Sequence, residues 1–230
     1  MVGRRNYDQA CPIASGLDVL GERWTLLILR ELVGGPRRYS DLRAQLSGIA
    51  TNLLAQRLNE LERAGLIART ELPAPIARTV YSLTDDAWRL VVPILGAIAR
   101  FGLETMRIDG EGFRSPLNGF LVGVLLGFDT VRAVGVQATY RVQIDGRSFD
   151  FTVTEGRLAA AHGELDVTLT ASASDLWAAR FASTPAQRKA ALRRLRFDGQ
   201  DGAVETMRSV LGLNGQSLHR DSILRSRHQG

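Results

Sequence analysis

Residues 48–71 read GIATNLLAQRLNELERAGLIARTE. Leu54, Leu58 and Leu61 recur at helical spacing, and Gly65 falls on the same side. Asn52, Gln56, Asn59 and Arg63 fall on the opposite side. A helix that only packs usually carries Lys and Glu outside. Side-chain amides in this register offer paired donors and acceptors, the groups that read the edges of bases. Thr51 is placed to cap a helix over 52–64, and Gly65 to end it in the left-handed conformation. An amphipathic helix in a bundle shares this leucine spacing, so the order of the neighbouring elements has to decide between the two.

Ser40 is expected to cap a short helix over 41–46, with Asp41 at the positive end of its dipole, and Ser47-Gly48 breaks it. A short helix, a tight turn and an amide-flanked helix make a helix-turn-helix, whose second helix suits a major groove. Residues 66–70 and 79–83 are short β-type runs on either side of Pro73 and Pro75, a hairpin that turns the motif into a winged one. Upstream, Leu17, Leu20, Trp24, Leu27 and Ile28 form a helical segment ended by Gly34-Gly35-Pro36. Downstream, Thr84-Asp85-Asp86 starts a long helix to about residue 107, with a kink expected at Pro93. In this arrangement Asn52, Gln56 and Asn59 are the candidates for base readout. Arg37, Arg38, Ser40, Thr51, Arg57 and Arg63 are candidates for the DNA backbone, and Arg69 and Arg78 for phosphate or minor groove from the wing.

Bulk properties narrow the classes. The chain has 230 residues, 45% hydrophobic and 23% charged, ordinary for a globular protein and enough for one large or two modest domains. No apolar run reaches the ~18 residues of a membrane span, and the polar start lacks an apolar secretory stretch, so a cytoplasmic protein is expected. One cysteine and the scattered His162, His219 and His228 leave no disulfide framework and no metal site. His162 has no Ser/Asp or Cys partner in a recognisable motif, and no nucleotide loop occurs, so neither a cofactor nor an enzyme is expected. The net charge is +5 and Lys189 is the only lysine. Arginine suits phosphate, but residues 1–110 hold 14 Arg against 12 acids and residues 111–230 hold 15 basic residues against 12, so the excess does not point to one half. Patterning has to decide.

The pattern changes after Asp109-Gly110-Glu111-Gly112. Val136, Ala138, Tyr140, Val142 and Ile144 alternate with polar residues as in a half-buried strand, and Asp145-Gly146 is a hairpin signal. Phe149, Phe151 and Val153 continue the alternation, and Val167, Leu169 and Ala171 give another strand. Helical segments are expected over 174–181, 185–196 and 203–213. The fold class is therefore α+β: a winged helix-turn-helix domain over 1–110, an α/β domain with an antiparallel sheet over 113–213, and a flexible tail over 214–230.

Cys11-Pro12-Ile13 and Gly21-Glu22-Arg23-Trp24-Thr25-Leu26-Leu27-Ile28-Leu29 resemble the opening of the HxlR family of bacterial winged-helix transcription regulators. Tyr39-Ser40-Asp41-Leu42, Gly48-Ile49, Leu58-Asn59-Glu60-Leu61-Glu62, Gly65-Leu66-Ile67 and Val80-Tyr81-Ser82-Leu83-Thr84 continue the resemblance in order, over roughly residues 7–105. It departs at Ala87, where glycine is usual, at Phe101, near the family's last tryptophan, and in the hairpin tip, residues 72–77. The resemblance implies a homodimer built from the N-terminal segment and the helix over 85–107, bound to double-stranded DNA at an inverted-repeat operator. The apolar residues on more than one side of that helix fit a partner surface. The resemblance also marks Cys11 as a candidate redox sensor, with Arg4 and Arg5 near enough in sequence to favour its thiolate. With no second cysteine, an intersubunit bond, alkylation or a mixed disulfide are the available chemistries.

Residues 117–213 resemble the sterol-carrier-protein fold, best at LDVTLTASASDLWAARF (165–181) and RFDGQDGAVETMRSVLGL (196–213). That resemblance implies a hydrophobic pocket, for which Phe120, Leu125, Phe128, Phe149, Phe151, Leu169, Trp177, Phe181 and Met207 are candidates. An ordinary core uses the same residues. Arg188, Lys189, Arg193, Arg194 and Arg196 form a basic stripe, readable as a solvated face, a DNA flank or a seat for an acidic head group. The function expected is a dimeric, non-enzymatic transcription regulator modulated by a hydrophobic small-molecule effector. The competing class is a lipid-handling carrier or enzyme acting through the second domain, with the first as a dimerisation module.

Overall fold

Pro12 sets the first helix: at its first turn a proline loses no hydrogen bond, and α1 (Pro12–Leu20) runs to Gly21. The helical segment expected around Leu17–Ile28 is in fact two helices. Trp24 adopts φ 79, in the left-handed region, and α2 (Thr25–Val33) starts after it. In α3 (Tyr39–Gln45) the expected cap is also corrected. Ser40 lies inside the helix, and the Asp41 carboxylate accepts from the Arg38 N–H at 3.3 Å, tying down the first turn. Gly48 turns the chain at φ 93 into α4 (Thr51–Arg63). Here Ala50 stands at the cap and Thr51 is already helical. The Thr51 carbonyl accepts from the Tyr39 hydroxyl at 2.7 Å, fixing α3 against the start of α4.

Gly65, at φ 70, ends α4 in the left-handed conformation that its missing side chain makes accessible. The strands β1 (Ile67–Leu72) and β2 (Arg78–Leu83) pair antiparallel from Ile67↔Leu83 to Leu72↔Arg78. Arg37 and Tyr81 exchange backbone hydrogen bonds at 2.9 and 2.7 Å, so the hairpin is held against the segment before α3. Thr84 then joins two helices. Its hydroxyl donates to the Gly65 carbonyl at 2.7 Å and accepts from the Ala87 N–H at 3.2 Å, at the start of α5 (Asp85–Thr105). Pro93 lies within that helix. Ile28, Leu29, Leu32, Leu42, Leu54, Leu58 and Leu61 form the core beneath these elements.

This computed structural model describes residues 6–73, 78–105 and 115–215. Residues 74–77 of the hairpin tip, the expected domain junction near 109–114, Arg4, Arg5, His219, His228 and nearly all of the tail lie outside the described residues. Contacts divide the chain into two compact units, Met1–Leu95 and Gly96–Gly230, with the division falling inside α5. No helix among the described residues is long and apolar enough to cross a membrane.

After the end of α5, the second unit contains α6 (Pro116–Phe120), capped by Ser115, which continues into a π-helical turn over Leu121–Leu125. Next come β3 (Ala138–Ile144), β4 (Arg147–Thr154), β5 (Arg157–Ala160) and β6 (Val167–Ala171). They are followed by α7 (Ala173–Phe181), α8 (Pro185–Arg194), β7 (Arg196–Gly199) and α9 (Asp201–Val210). The sheet order is β5-β4-β3-β6-β7. Its central pair, β3 and β6, is parallel, which corrects the expectation of a wholly antiparallel sheet. Alternation places Tyr140, Val142, Ile144, Phe149, Phe151, Val153, Val167 and Leu169 in the core. On the other face Arg141 grips Asp150 through two hydrogen bonds, at 2.8 and 2.7 Å, across the β3–β4 pair. Positive φ at Asp145-Gly146 and at Glu155-Gly156 builds both tight turns of this meander.

Candidate nucleic-acid interface

The two sides of α4 separate as the leucine spacing predicts. Leu54, Leu58 and Leu61 are buried, while Asn52, Gln56, Asn59 and Arg63 are exposed. The amides are partly engaged. The Asn52 side-chain oxygen accepts from the Leu53 N–H at 2.9 Å, and Gln56 Nε2 donates to Glu60 Oε1 at 2.8 Å. Asn59 makes no side-chain hydrogen bond among the described residues. Gln56 keeps one N–H and its carbonyl oxygen, the pair of groups needed to bind adenine through two hydrogen bonds.

Arg57, expected among the backbone contacts, is turned inward instead. It is 8% exposed, donating to Glu22 Oε2 at 2.6 Å and to Glu60 Oε2 at 2.5 Å. Glu60 therefore holds Arg57 with one oxygen and Gln56 with the other. The chain Glu22–Arg57–Glu60–Gln56 links the turn before α2 to the exposed flank of α4. Sequence reasoning missed Glu22 and Glu60. The available signal was Glu60's spacing, three residues after Arg57 and four after Gln56.

The other backbone candidates are distributed around this flank. Ser40 and Thr51 are exposed, and Arg38 is half-buried. Arg37 is half-buried, with its Nε and Nη2 buried and unpartnered among the described residues. On the hairpin, Arg69 and Arg78 are exposed. Arg69 lies 3.6 Å from Glu71 in a solvated pair that constrains it little. Cys11 is half-buried at the cap position of α1.

In the second unit, six of the nine pocket candidates are buried: Phe120, Leu125, Phe149, Phe151, Leu169 and Met207. Phe120 stacks on Phe149 at 4.7 Å and meets Phe151 edge-on at 5.9 Å. Phe128, Trp177 and Phe181 are half-buried, and the last two form a separate pair at 4.8 Å. Tyr140 and Arg180 are among the buried polar side chains of this unit. The Tyr140 hydroxyl is buried without a partner among the described residues, and burial, with Asp166 nearby, pushes its pKa up to about 12. The Arg180 guanidinium donates to the carbonyls of Gly212 (2.8 Å), Gly123 (2.9 Å) and Leu211, and burial pulls its pKa down to about 10. In the basic stripe Arg194 pairs with Asp175 at 2.6 Å and Arg188 donates to the Ala182 carbonyl at 2.9 Å. Lys189, Arg193 and Arg196 are exposed.

Residues 19–109 match the family described as HxlR-like helix-turn-helix. The uncharacterized HTH-type transcriptional regulator YvaP of Bacillus subtilis is 36% identical over 100 residues, covering 43% of this chain and 92% of that one. The uncharacterized HTH-type transcriptional regulator sll1512 of Synechocystis sp. is 40% identical over 110 residues, covering 44% and 81%. The HTH-type transcriptional regulator YodB of Bacillus subtilis is 36% identical over 81 residues, covering 35% and 72%.

Proposed function

The chain belongs to the HxlR-like helix-turn-helix family, and from that premise we propose that it is a transcription regulator that reads duplex DNA with the exposed flank of α4. The observation that carries this is the division of that helix, with leucines buried on one side and Asn52, Gln56 and Asn59 exposed on the other. Asn52 and Gln56 read adenine edges and Asn59 adds a third amide. Arg38, Ser40, Thr51 and Arg63 set the register on phosphates, with Arg37 beside them, and Arg69 and Arg78 reach the backbone from the hairpin. Arg57 has no such role, because both ends of its fork are held by carboxylates.

The regulator is a homodimer. Leu90, Ile94, Ile98 and Phe101 recur at helical spacing along α5 and are exposed, with Phe101 at 67%. Tyr7, Ile13 and Leu17 in the N-terminal segment are also exposed. An apolar helix stripe left in water fits a second copy of the chain. A two-fold dimer presents its recognition helices to half-sites about 34 Å apart on one face of the duplex. The second unit is a sterol-carrier-like effector domain. Support comes from the Asp166–Thr170 segment running into Ser172, whose hydroxyl accepts from the Asp175 N–H at 3.0 Å to cap α7. The effector acts by binding one of two dimer states more tightly than the other.

Selection of bound duplexes from a random pool tests this reading. Recovery of an inverted repeat with half-sites one helical turn apart is expected. Recovery of unrelated sequences, or of none above background, contradicts it.

A further inference from the structure

The second unit carries a concavity that the effector reading does not use. A cavity of about 490 Å³ lies between α8 and α9, with four cations on its rim: Arg188, Lys189 and Arg193 from α8 and Arg208 from α9. Its floor includes Leu192 and Leu213, and among the described residues no carboxylate lines it. The volume is in the range of small-molecule sites.

A solvated helix face does not account for this arrangement. Helix α8 contains no acidic residue, so Lys189 and Arg193, one turn apart, are like charges with no counter-ion on their own helix. Such pairs are destabilising. Neither makes an ion pair among the described residues. Arg208 joins them from another element, with its guanidinium 4.0 Å from the Phe197 ring centroid. Stacking on an aromatic face leaves the in-plane N–H groups free for an oxyanion. Arg188 is held in place by its bond to the Ala182 carbonyl. Three planar forks and one ammonium around an apolar floor match a group with several anionic oxygens attached to an apolar body.

We propose that the α8–α9 cavity binds a soluble organic phosphate with an apolar body, held by Arg188, Lys189, Arg193 and Arg208. This places the ligand outside the Phe120–Phe149–Phe151 cluster. It names the ligand class for the effector reading and rests on that reading only for its effect on DNA.

The test is calorimetric titration of the full chain with octyl phosphate below its micellar concentration, alongside inorganic phosphate and octanol. One octyl phosphate per chain, bound at least tenfold tighter than either control, is expected. Lys189→Glu/Arg193→Glu, at two exposed positions, should weaken it at least tenfold while leaving the melting temperature unchanged. Equal binding by the variant, or no binding of octyl phosphate by the wild type, overturns the proposal. So does binding only to phosphatidate vesicles, which would assign the cations to a membrane surface. Loss of duplex affinity in the variant without octyl phosphate binding also overturns it, by assigning them to DNA. Duplex affinity measured with and without octyl phosphate separates the two readings. Binding that leaves duplex affinity unchanged supports the site and removes its regulatory role.

Discussion

Arg57 lies three residues after Leu54 and four before Leu61, so helical geometry turns it into the protein whatever its charge. There it ties Glu22 in the turn before α2 to Glu60 on its own helix. Replacing it with leucine should lower stability by about 1–3 kcal/mol in urea unfolding, the usual range for losing hydrogen bonds to charged groups. The salt dependence of duplex binding should not change. Arg63→Ala, at an exposed position, should reduce that salt slope by about one. The sequence showed Asn52, Gln56 and Asn59 correctly as an outward flank, because period alone sets which side of a helix a residue occupies. It misled at Arg57, where charge was weighed before register, and Glu60's double bond to Gln56 and Arg57 was lost with it. The Tyr140 hydroxyl is buried with no partner among the described residues. Tyr140→Phe should raise stability by about 1 kcal/mol at pH 8. Above the ordinary pKa of 10.0 the unfolded chain releases the phenolic proton, while the native state keeps it to about 12. Native stability therefore falls with rising pH in that window. Urea unfolding at pH 8 and pH 11 should show a larger loss for wild type than for Tyr140→Phe.

Among the elements, α6 and the π-helical turn depend on small residues. A Cβ on Gly119 would sit 2.9 Å from Ala173 Cα, one on Gly123 2.9 Å from a Leu176 methyl, and one on Gly127 would meet the Arg180 guanidinium. These positions, four residues apart, let α7 approach closely and let Arg180 reach the Gly123 carbonyl. Gly123→Ala should destabilise the second unit by about 1–3 kcal/mol, the usual result of overfilling a packed site, as read by thermal or urea unfolding. Elements with a clear period were legible: α4 from its leucines, and β3 and β4 from alternation. Those without one were not. β5 and β7 have four residues each, too short for alternation to stand out. The break between α1 and α2 turns on the positive φ of Trp24, a conformation its residue type does not suggest. The parallel β3–β6 pairing was illegible for another reason: strand direction is set by how the chain crosses the sheet, and no local pattern encodes it.

For the molecule as a whole, the α5 stripe and the α4 flank bear on one assembly. Ile98→Glu/Phe101→Glu puts two charges on an exposed apolar stripe. It should convert the proposed dimer to a monomer in sedimentation, and it should lower affinity for a two-half-site duplex far more than for a single half-site. A variant that remains dimeric would remove α5 from the interface. The N-terminal architecture was visible in the sequence because helix, turn, helix and hairpin follow one another within residues 39–83 and each has its own local signal. The second unit was visible as strands and helices, but whether its aromatic residues line a pocket or fill a core depends on packing between distant segments. The most direct measurement compares Asn52→Ala/Gln56→Ala with wild type on a preferred and a scrambled duplex of equal length and charge, in one salt concentration. Base readout by α4 predicts that the variant keeps its fold and its affinity for the scrambled duplex while its preference collapses. A variant that discriminates between the two duplexes as well as wild type would show that this helix does not read bases.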